Sequence, residues 1–168
     1  GEKVGVIGIN GTGKSTLLKI MAGLEVPDEG EGIKASNMMI HYLPQNPKFN
    51  DGDTVLESVQ NMIHHHANEN ELVKAKSMMT RLGITDFEQK TGELSGGQRK
   101  RLALVSVLIT PCDILILDEP TNHLDSEMAQ WLENQLKAFK GALVMVTHDR
   151  YFLDSVTNLI IELDKGKI

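Results

Sequence analysis

The stretch Gly8-Ile9-Asn10-Gly11-Thr12-Gly13-Lys14-Ser15 decides the fold of this chain, because it fits the pattern G-x-x-x-x-G-K-[ST] at every fixed position. Segment 3–7 before it predicts a strand, and segment 15–22 after it predicts a helix that stops at Gly23. Backbone N–H groups of such a loop curl around phosphates, and the helix N-terminus adds partial positive charge. A glycine-rich turn that matches by chance would not explain both flanks. The chain is therefore expected to bind a nucleoside triphosphate.

Two side chains of this loop have specific expected tasks. Lys14 can reach the β- and γ-phosphates as a point charge, and the hydroxyl of Ser15 can ligate Mg²⁺. The residues expected to bind the nucleotide at this loop are Gly8, Ile9, Asn10, Gly11, Thr12, Gly13, Lys14, Ser15 and Thr16.

The composition is that of a single globular domain, with 168 residues, of which 40% are hydrophobic and 24% charged. The formal charge of -6 does not indicate broad adhesion to nucleic acid. No apolar run is long enough to span a membrane, and a single cysteine excludes an intrachain disulfide, so a cytoplasmic location is expected. Because the chain starts with Gly1 shortly before the loop, we expect it to be a piece of a longer protein that lacks its first strands.

Two short strands and an exposed loop are predicted after the first helix. The strands cover residues 33–34 and 38–43. The two prolines of Pro44-Gln45-Asn46-Pro47 then interrupt regular structure, so Gln45 is expected on an exposed loop.

Two helices are predicted in the middle of the chain. The first runs from Thr54, a candidate N-cap with Glu57 three residues on, to about residue 66. The second covers about residues 69–82. The run His64-His65-His66 suggests a metal site, but successive helix residues point about 100° apart, so a solvated helix end is the favoured interpretation.

A second glycine-marked helix start follows. Leu94-Ser95-Gly96-Gly97-Gln98 precedes a predicted helix over residues 98–109. Two adjacent glycines there suggest another anion-binding helix start, the alternative being an ordinary glycine turn. The run Arg99-Lys100-Arg101 is expected to form a solvated face of this helix.

Two acidic residues follow a strongly apolar strand. The run 114–117 predicts a strand covered on both faces, and Asp118 and Glu119 emerge at its carboxyl end. Ligands bind at that edge of an open parallel sheet, so Asp118 is expected to hold Mg²⁺ through water and Glu119 to polarise an attacking water. The alternative is that the two acids merely start a loop.

The last part of the chain predicts a helix and two strands. Ser126 is expected to cap a helix that runs to about Phe139, and the strand 142–146 delivers His148 to the same sheet edge. A histidine there is a candidate sensor of the γ-phosphate, the alternative being a structural role. A final strand is predicted over residues 158–164, followed by a turn at Lys165-Gly166.

With these motifs in order, the sequence resembles the ATP-binding cassette (ABC) ATPases over nearly its whole length. The resemblance implies an α/β fold of the P-loop NTPase type, with a mostly parallel core sheet. It implies one domain over residues 1–168, with a small helical subdomain at about 46–110. The matching motifs are Walker A at 8–15, the Q-loop glutamine Gln45, the signature at 94–98, Walker B at 114–118 followed by Glu119, the D-loop through Asp125, and the switch histidine His148.

The resemblance also implies how the cassette works. Two cassettes pack head to tail around two ATP molecules, so the signature of one contacts the γ-phosphate held by the other. Glu119 acts as general base, and His148 and Gln45 complete the catalytic set. The cofactors implied are ATP and Mg²⁺, and the metal ligands are Ser15, Gln45 and Asp118. The signature residues implied to contact nucleotide are Ser95, Gly96, Gly97 and Gln98.

Two stretches, 119–125 and 147–154 with its continuation at 162–168, resemble the ABC-F branch of soluble tandem cassettes that act on the ribosome. This implies an ATPase whose partners are a second cassette and ribosomal RNA or tRNA. One alternative is the ATP-binding subunit of a membrane transporter, with a permease as partner. Another is a degenerate scaffold, against which the complete set of catalytic residues argues. The chain departs from the ABC-F pattern, because only residues 46–93 separate Gln45 from the signature, where a long helical arm is usual, and because no second cassette is present.

Overall fold

The computed structural model describes residues 1–63 and 69–164. The predicted helix end with the histidine run 64–66, and the predicted turn at 165–166, lie outside the described residues. Among the residues described, no helix is both long and apolar enough to cross a membrane. The elements are β1 (Lys3–Gly8), α1 (Lys14–Met21), β2 (Ile40–Leu43), α2 (Val55–Met62), α3 (Glu69–Arg81), a 3-10 turn (Thr91–Glu93), α4 (Gly96–Ile109), β3 (Ile114–Asp118), α5 (Ser126–Ala138), β4 (Ala142–Val146), α6 (Arg150–Val156) and β5 (Leu159–Leu163).

The five strands form one sheet in the order β2-β3-β4-β1-β5, and every pair of neighbours is parallel. This confirms the predicted α/β class with a parallel core sheet. Because β3, β4 and β1 are adjacent and parallel, the loops that follow them leave the sheet at the same edge. That edge is where ligands bind in open parallel sheets.

The apolar runs predicted to be buried on both faces are buried. In β3, residues 115–118 are buried, and in β4 residues 143–146 are. The core cluster beside them takes one residue from α1, Leu18, which is fully buried. Burying a leucine side chain stabilises a fold by about 2 kcal/mol, so this contact fixes α1, and the loop before it, on the sheet.

The chain divides into two compact units. The sheet unit consists of Gly1–Gln45, Cys112–Thr121 and the chain from Gln130 onward, and the helical unit of Asn46–Pro111 and Asn122–Ala129. In the helical unit, α2 and α3 both pack on α4. The fully buried hydrophobic residues of the helical unit are Val55, Val59, Ala75, Met79, Leu82, Leu102 and Val105.

The start of α2 is tied to the segment before the signature. The N-cap Thr54 and Glu57 form the predicted capping box, with N–H···O distances of 3.1 and 2.7 Å. The buried hydroxyl of Thr91 donates to the carbonyl oxygen of Asn50 at 2.6 Å, and the N–H of Val55 donates to the carbonyl of Gln89 at 2.9 Å. These bonds anchor the loop that leads into α4.

Two strand predictions need correction. Residues 33–34 have no strand structure, and Ile33 is 95% exposed. A strand needs a neighbour to pair its N–H and C=O groups, and no described strand lies beside this segment. β2 also begins at Ile40 rather than at residue 38.

Two helix predictions were also wrong in detail. Ser126 is the first residue of α5, and the cap is Asp125, whose Oδ1 accepts the N–H of Met128 at 2.8 Å. Lys100 does not belong to a solvated face, because it is only 2% exposed. It lies on the same side of α4 as Ala103 and Leu104, three and four residues later, and both are buried. The helix α6 and the 3-10 turn were not predicted.

Candidate functional site

The loop between β1 and α1 depends on two glycines for different reasons. Gly13 has a φ of 91°, in the left-handed region, and a Cβ there would meet nothing within 4 Å. Glycine is needed at this position for its backbone conformation rather than for space. At Gly8 the limit is space, since a Cβ would lie 2.6 Å from the carbonyl oxygen of Leu163. Because Gly13 has no side chain that could cap α1, the first amides of the helix are suited to an external anion.

The ammonium group of Lys14 binds its own loop in this structure. It donates to the carbonyl oxygens of Gly8 at 2.6 Å and Ile9 at 3.0 Å, and the residue is only 9% exposed. The hydroxyl of Thr12 also points back, donating to the carbonyl of Ile9 at 2.8 Å. The expected reach of Lys14 toward phosphates stays a prediction, and it requires the ammonium to exchange these carbonyls for phosphate oxygens.

A cleft of about 400 Å³ lies against the loop, within the sheet unit. It gathers residues predicted from four separate parts of the sequence, because the loops after β1, β2, β3 and β4 all contribute to its wall. Gly8 and Ile9 line a second cleft of about 410 Å³. The residues that line the first cleft are Asn10, Gly11, Gly13, Lys14, Ser15, Thr16, Gln45, Asp118, Glu119, Val146 and His148.

Glu119 and His148 are held together by two contacts. Oε1 of Glu119 lies 3.1 Å from Nε2 of His148, and the backbone N–H of His148 donates to Oε2 at 3.3 Å. The N–H of Glu119 donates to the carbonyl of Val146 at 2.8 Å, which continues the β3–β4 pairing by one residue. Glu119 has a φ of 51°, a left-handed conformation uncommon for residues other than glycine. This turn directs its carboxylate toward the loop after β4.

The environment of Glu119 changes its acidity. Burial raises the pKa of the Glu119 carboxyl above its usual range, and the neighbouring His148 opposes that rise. A carboxyl with a raised pKa holds a proton more readily than a solvated one, which suits a general base that must accept a proton from water.

The oxygen donors in the cleft fit magnesium. Ser15, Gln45 and Asp118 offer a hydroxyl, an amide oxygen and a carboxylate, and Asp118 is only 1% exposed. Mg²⁺ prefers such hard oxygen ligands and commonly takes only one or two carboxylates from the protein, with phosphates and water completing its shell. The described part of the chain holds no group of three or more His, Cys, Asp or Glu side chains arranged as a metal site.

The signature residues form a capped helix start in the helical unit. Ser95 Oγ accepts the N–H of Gln98 at 3.2 Å, and Gln98 Oε1 accepts the N–H of Ser95 at 2.9 Å. Gly96 and Gly97 therefore lie inside the first turn of α4 rather than before it. A Cβ on Gly97 would come within 3.2 Å of the Cβ of His123, so glycine also allows the D-loop to approach this turn.

Sequence reasoning missed three residues that hold these loops. The carbonyl of His123 accepts a hydrogen bond from Arg101 at 3.2 Å, which ties α4 to the D-loop. The hydroxyls of Thr121 and Thr147 lie 3.0 Å apart and link the loops after β3 and β4. The available signal was that Thr121 is two residues after Glu119 and that Thr147 directly precedes His148, but no spacing rule pairs the two threonines.

Residues 1–122 match a protein-family model described as "ABC transporter". The ABC transporter ATP-binding protein YfmR of Bacillus subtilis is 41% identical over 210 residues, which cover 99% of this chain and 32% of YfmR. The energy-dependent translational throttle protein EttA of Escherichia coli K12 is 39% identical over 205 residues, covering 99% of this chain and 37% of EttA. The chain thus spans about a third of the length of these relatives. Both aligned stretches are longer than the chain itself, so the relatives have residues in this region that the chain lacks.

Two solved structures are similar in fold and sequence. One is the archaeal ribosome recycling factor aABCE1 in complex with the ribosomal stalk protein aP1, with a TM-score of 0.80 and 32% identity over 99% of this chain and 33% of that one. The other is the dimeric ATP-binding cassette MJ0796, in a post-hydrolysis state with ADP and Pi. Its TM-score is 0.80 and its identity 27%, over 99% of this chain and 83% of that one.

Proposed function

The chain belongs to the ABC transporter family, and we propose from this premise that it is an ATPase domain that binds ATP in the 400 Å³ cleft and hydrolyses it with Mg²⁺. The observation that carries the proposal is the meeting, in one cleft, of the phosphate-binding loop with Gln45, Asp118, Glu119 and His148. These are the groups needed to hold a triphosphate, a metal ion and an attacking water.

Each group has a task that its position supports. The backbone amides at the start of α1 and the ammonium of Lys14 bind the phosphates. Ser15, Gln45 and Asp118 would hold Mg²⁺, which when bound neutralises charge on the phosphates. Glu119 accepts a proton from the attacking water, and His148, which contacts both carboxylate oxygens, orients that carboxylate and senses the γ-phosphate.

We further propose that the domain works with a second cassette. The signature turn Ser95, Gly96, Gly97 and Gln98 would contact the γ-phosphate held by the partner cassette. The solved cassette MJ0796 is described as a dimer with ADP and Pi, which supports this arrangement. We also retain residues 46–110 as the helical subdomain of a single cassette, and a cytoplasmic location for the protein.

The cellular role that the comparisons favour is an ABC-F-type action on the ribosome. EttA is named as a translational throttle protein, and aABCE1 as a ribosome recycling factor. EttA and aABCE1 are 39% and 32% identical to this chain, whereas one ATP-binding subunit of an ABC transporter of known structure is 22% identical and shares the fold alone. YfmR, which is 41% identical, is itself named an ABC transporter ATP-binding protein. An ATP-binding subunit of a membrane transporter is the second candidate.

Substitution of the proposed base tests the reaction. In the full-length protein, Glu119→Gln should lower kcat for ATP hydrolysis by about a thousandfold, since general bases contribute on that order, while ATP still binds. Glu29→Gln, in an exposed stretch without regular structure, is the matched control and should keep the parent rate. Turnover by Glu119→Gln at the parent rate would contradict the assignment of the base.

The same variant tests the cellular role. Glu119→Gln protein with ATP bound should pellet with purified ribosomes in an ATP-dependent manner. No ATP-dependent pelleting, together with ATP-dependent association with a membrane permease, would favour the transporter candidate instead.

A further inference from the structure

Two hydroxyls, of which that of Thr147 belongs to a buried residue, join the loop after β3 to the loop after β4. Oγ1 of Thr121 lies 3.0 Å from Oγ1 of Thr147, and Thr147 is only 5% exposed. Oγ1 of Thr147 also accepts the N–H of Asp149 at 3.1 Å. The Thr147 hydroxyl therefore takes part in two hydrogen bonds. One joins it to the hydroxyl of Thr121, in the loop after β3, and the other to the backbone of Asp149, the residue after His148.

This hydroxyl pair flanks the Glu119–His148 contact. Thr121 is two residues after Glu119, and Thr147 directly precedes His148. The side chain of His148 is 65% exposed whereas that of Glu119 is 5% exposed. Packing thus fixes the carboxylate but not the imidazole, and the backbone on either side must hold the histidine.

We infer that Thr121 and Thr147 are positioning residues, whose hydroxyl pair holds the backbone of His148 where it meets the Glu119 carboxylate. The inference rests on the proposed ATP hydrolysis. Neither threonine lines the 400 Å³ cleft that holds Glu119, and Thr147 lines the second cleft together with His148. In this inference both threonines act through Glu119 and His148. Displacing reacting groups by a fraction of an ångström is enough to slow an enzyme, because the geometry must be nearly correct before reaction.

A purely structural role would be to support α6. That helix has its own cap, because Oδ1 of Asp149 accepts the N–H of Phe152 at 3.0 Å. A comparable hydroxyl at the other end of α6 provides a control: Oγ1 of Thr157 donates to the carbonyl of Leu153 at 2.6 Å. Thr157→Val removes a hydroxyl from the same helix without touching the Glu119–His148 pair.

The experiment measures kcat and KM for ATP in the full-length protein. Thr121→Val and Thr147→Val, which keep the side-chain shape, should each lower kcat by about tenfold while KM stays within about twofold. Serine at either position keeps the hydroxyl and should restore at least about half of kcat. The double valine variant should be no slower than the slower single one, because the two hydroxyls act as one unit.

The inference is overturned if Thr147→Val keeps the parent kcat, if Thr157→Val slows the enzyme equally, or if the double variant shows the product of the two single losses. A second readout is independent of turnover. Thr121→Val should accelerate hydrogen exchange at the amides of His148 and Asp149, which Thr121 does not contact, and unchanged exchange would also overturn the inference. If the unsubstituted protein hydrolyses no ATP, the proposed function fails, and the exchange measurement alone decides whether the hydroxyl pair holds this loop.

Discussion

The helices α1 and α4 both have glycines at or next to their first residue, but their first turns are capped differently. α1 follows Gly13, which has a φ of 91° and no side chain to offer the helix amides. α4 follows Ser95, whose hydroxyl accepts the N–H of Gln98 while the Gln98 side chain accepts the N–H of Ser95. The first helix start has no side-chain cap, and the second satisfies two of its N–H groups, those of Ser95 and Gln98, with its own side chains.

This difference in capping predicts two ways of binding a phosphate. At α1 an anion meets amides without a side-chain cap, and it gains the ammonium of Lys14 once that group exchanges the carbonyls of Gly8 and Ile9 for phosphate oxygens, so we expect this start to be the main binding site of the triphosphate. At α4 an anion must compete with the Ser95 hydroxyl for the N–H of Gln98, so binding at that amide exchanges one hydrogen bond for another. The signature turn is thus suited to a phosphate already held elsewhere. The capping box of α2, Thr54 with Glu57, serves as a reference because no ligand is proposed for it.

The largest expected effect is the loss of Lys14. Lys14→Met removes the cation from the open helix start and should weaken ATP binding by about a hundredfold, since a charge-assisted hydrogen bond contributes up to about 3 kcal/mol. Isothermal titration with ATP and Mg²⁺ measures it. Lys19→Met, which breaks an exposed ion pair with Glu25 in the same segment, should leave the affinity unchanged. Equal affinities for the two variants would refute the role given to the loop.

A smaller effect is expected from the conformation of Gly13. Gly13→Ala places a Cβ in open space but forces alanine into the left-handed region, at about 1–2 kcal/mol. Gly23→Ala has the same cost at the other end of α1, where φ is 76° and a Cβ also meets nothing within 4 Å. Both should lower the free energy of unfolding similarly, and Gly13→Ala alone should weaken ATP binding, by about tenfold. A matching loss of affinity in Gly23→Ala would mean that helix stability, not loop shape, controls binding.

The two capping boxes should respond alike in stability and differently in turnover. Ser95→Ala and Thr54→Ala each remove a cap and should each cost about 1 kcal/mol in the free energy of unfolding, measured by urea denaturation. If the signature turn contacts nucleotide, Ser95→Ala should also lower kcat for ATP hydrolysis, whereas Thr54→Ala should not. Identical turnover in both variants would reduce the Ser95 box to a structural cap.

The smallest expected effect concerns the charge of the side chains in the capping boxes of α2 and α4. The N–H of Thr54 donates to the Glu57 carboxylate, which lowers the pKa of Glu57 below 4.5. A carboxyl whose pKa is lower in the folded state adds stability above its unfolded pKa, and this is lost as the pH falls through the folded pKa. As the pH falls through the unfolded and then the folded pKa of Glu57, the parent protein should therefore lose more stability than Glu57→Gln. Gln98→Glu should add the same acid sensitivity to α4, whose cap is otherwise neutral.

Much of the site followed from the sequence because each motif fixes a local shape. The phosphate-binding loop, the buried strand before Asp118 and the strand before His148 were predicted from short patterns, and the parallel sheet brings them into one cleft. The exposed position of Gln45 followed from the two flanking prolines.

The remaining features depend on neighbours that sequence patterns do not reveal. Residues 33–34 have strand-like composition, but pairing decides whether a strand forms. The charged neighbours of Lys100 in the sequence predict a solvated side chain, yet its side of α4 is buried. Two contacts arise only from side-chain placement in three dimensions. They are the hydrogen bond of the Lys14 ammonium to a carbonyl of its own loop and the contact between the hydroxyls of Thr121 and Thr147.

The order of the strands has a consequence for the synthesis of this protein. β1 precedes the other four described strands in the sequence but lies between β4 and β5, with Lys3 opposite Leu143 and Val4 opposite Leu159. Contacts between residues so distant in sequence form slowly, because a long loop must close before they are gained. A nascent chain interrupted before β4 therefore contains the sequence of the phosphate loop without the strands that pair with β1 and fix the position of that loop. Nucleotide binding is accordingly expected only after β4 and β5, the two strands that pair with β1, have been synthesised.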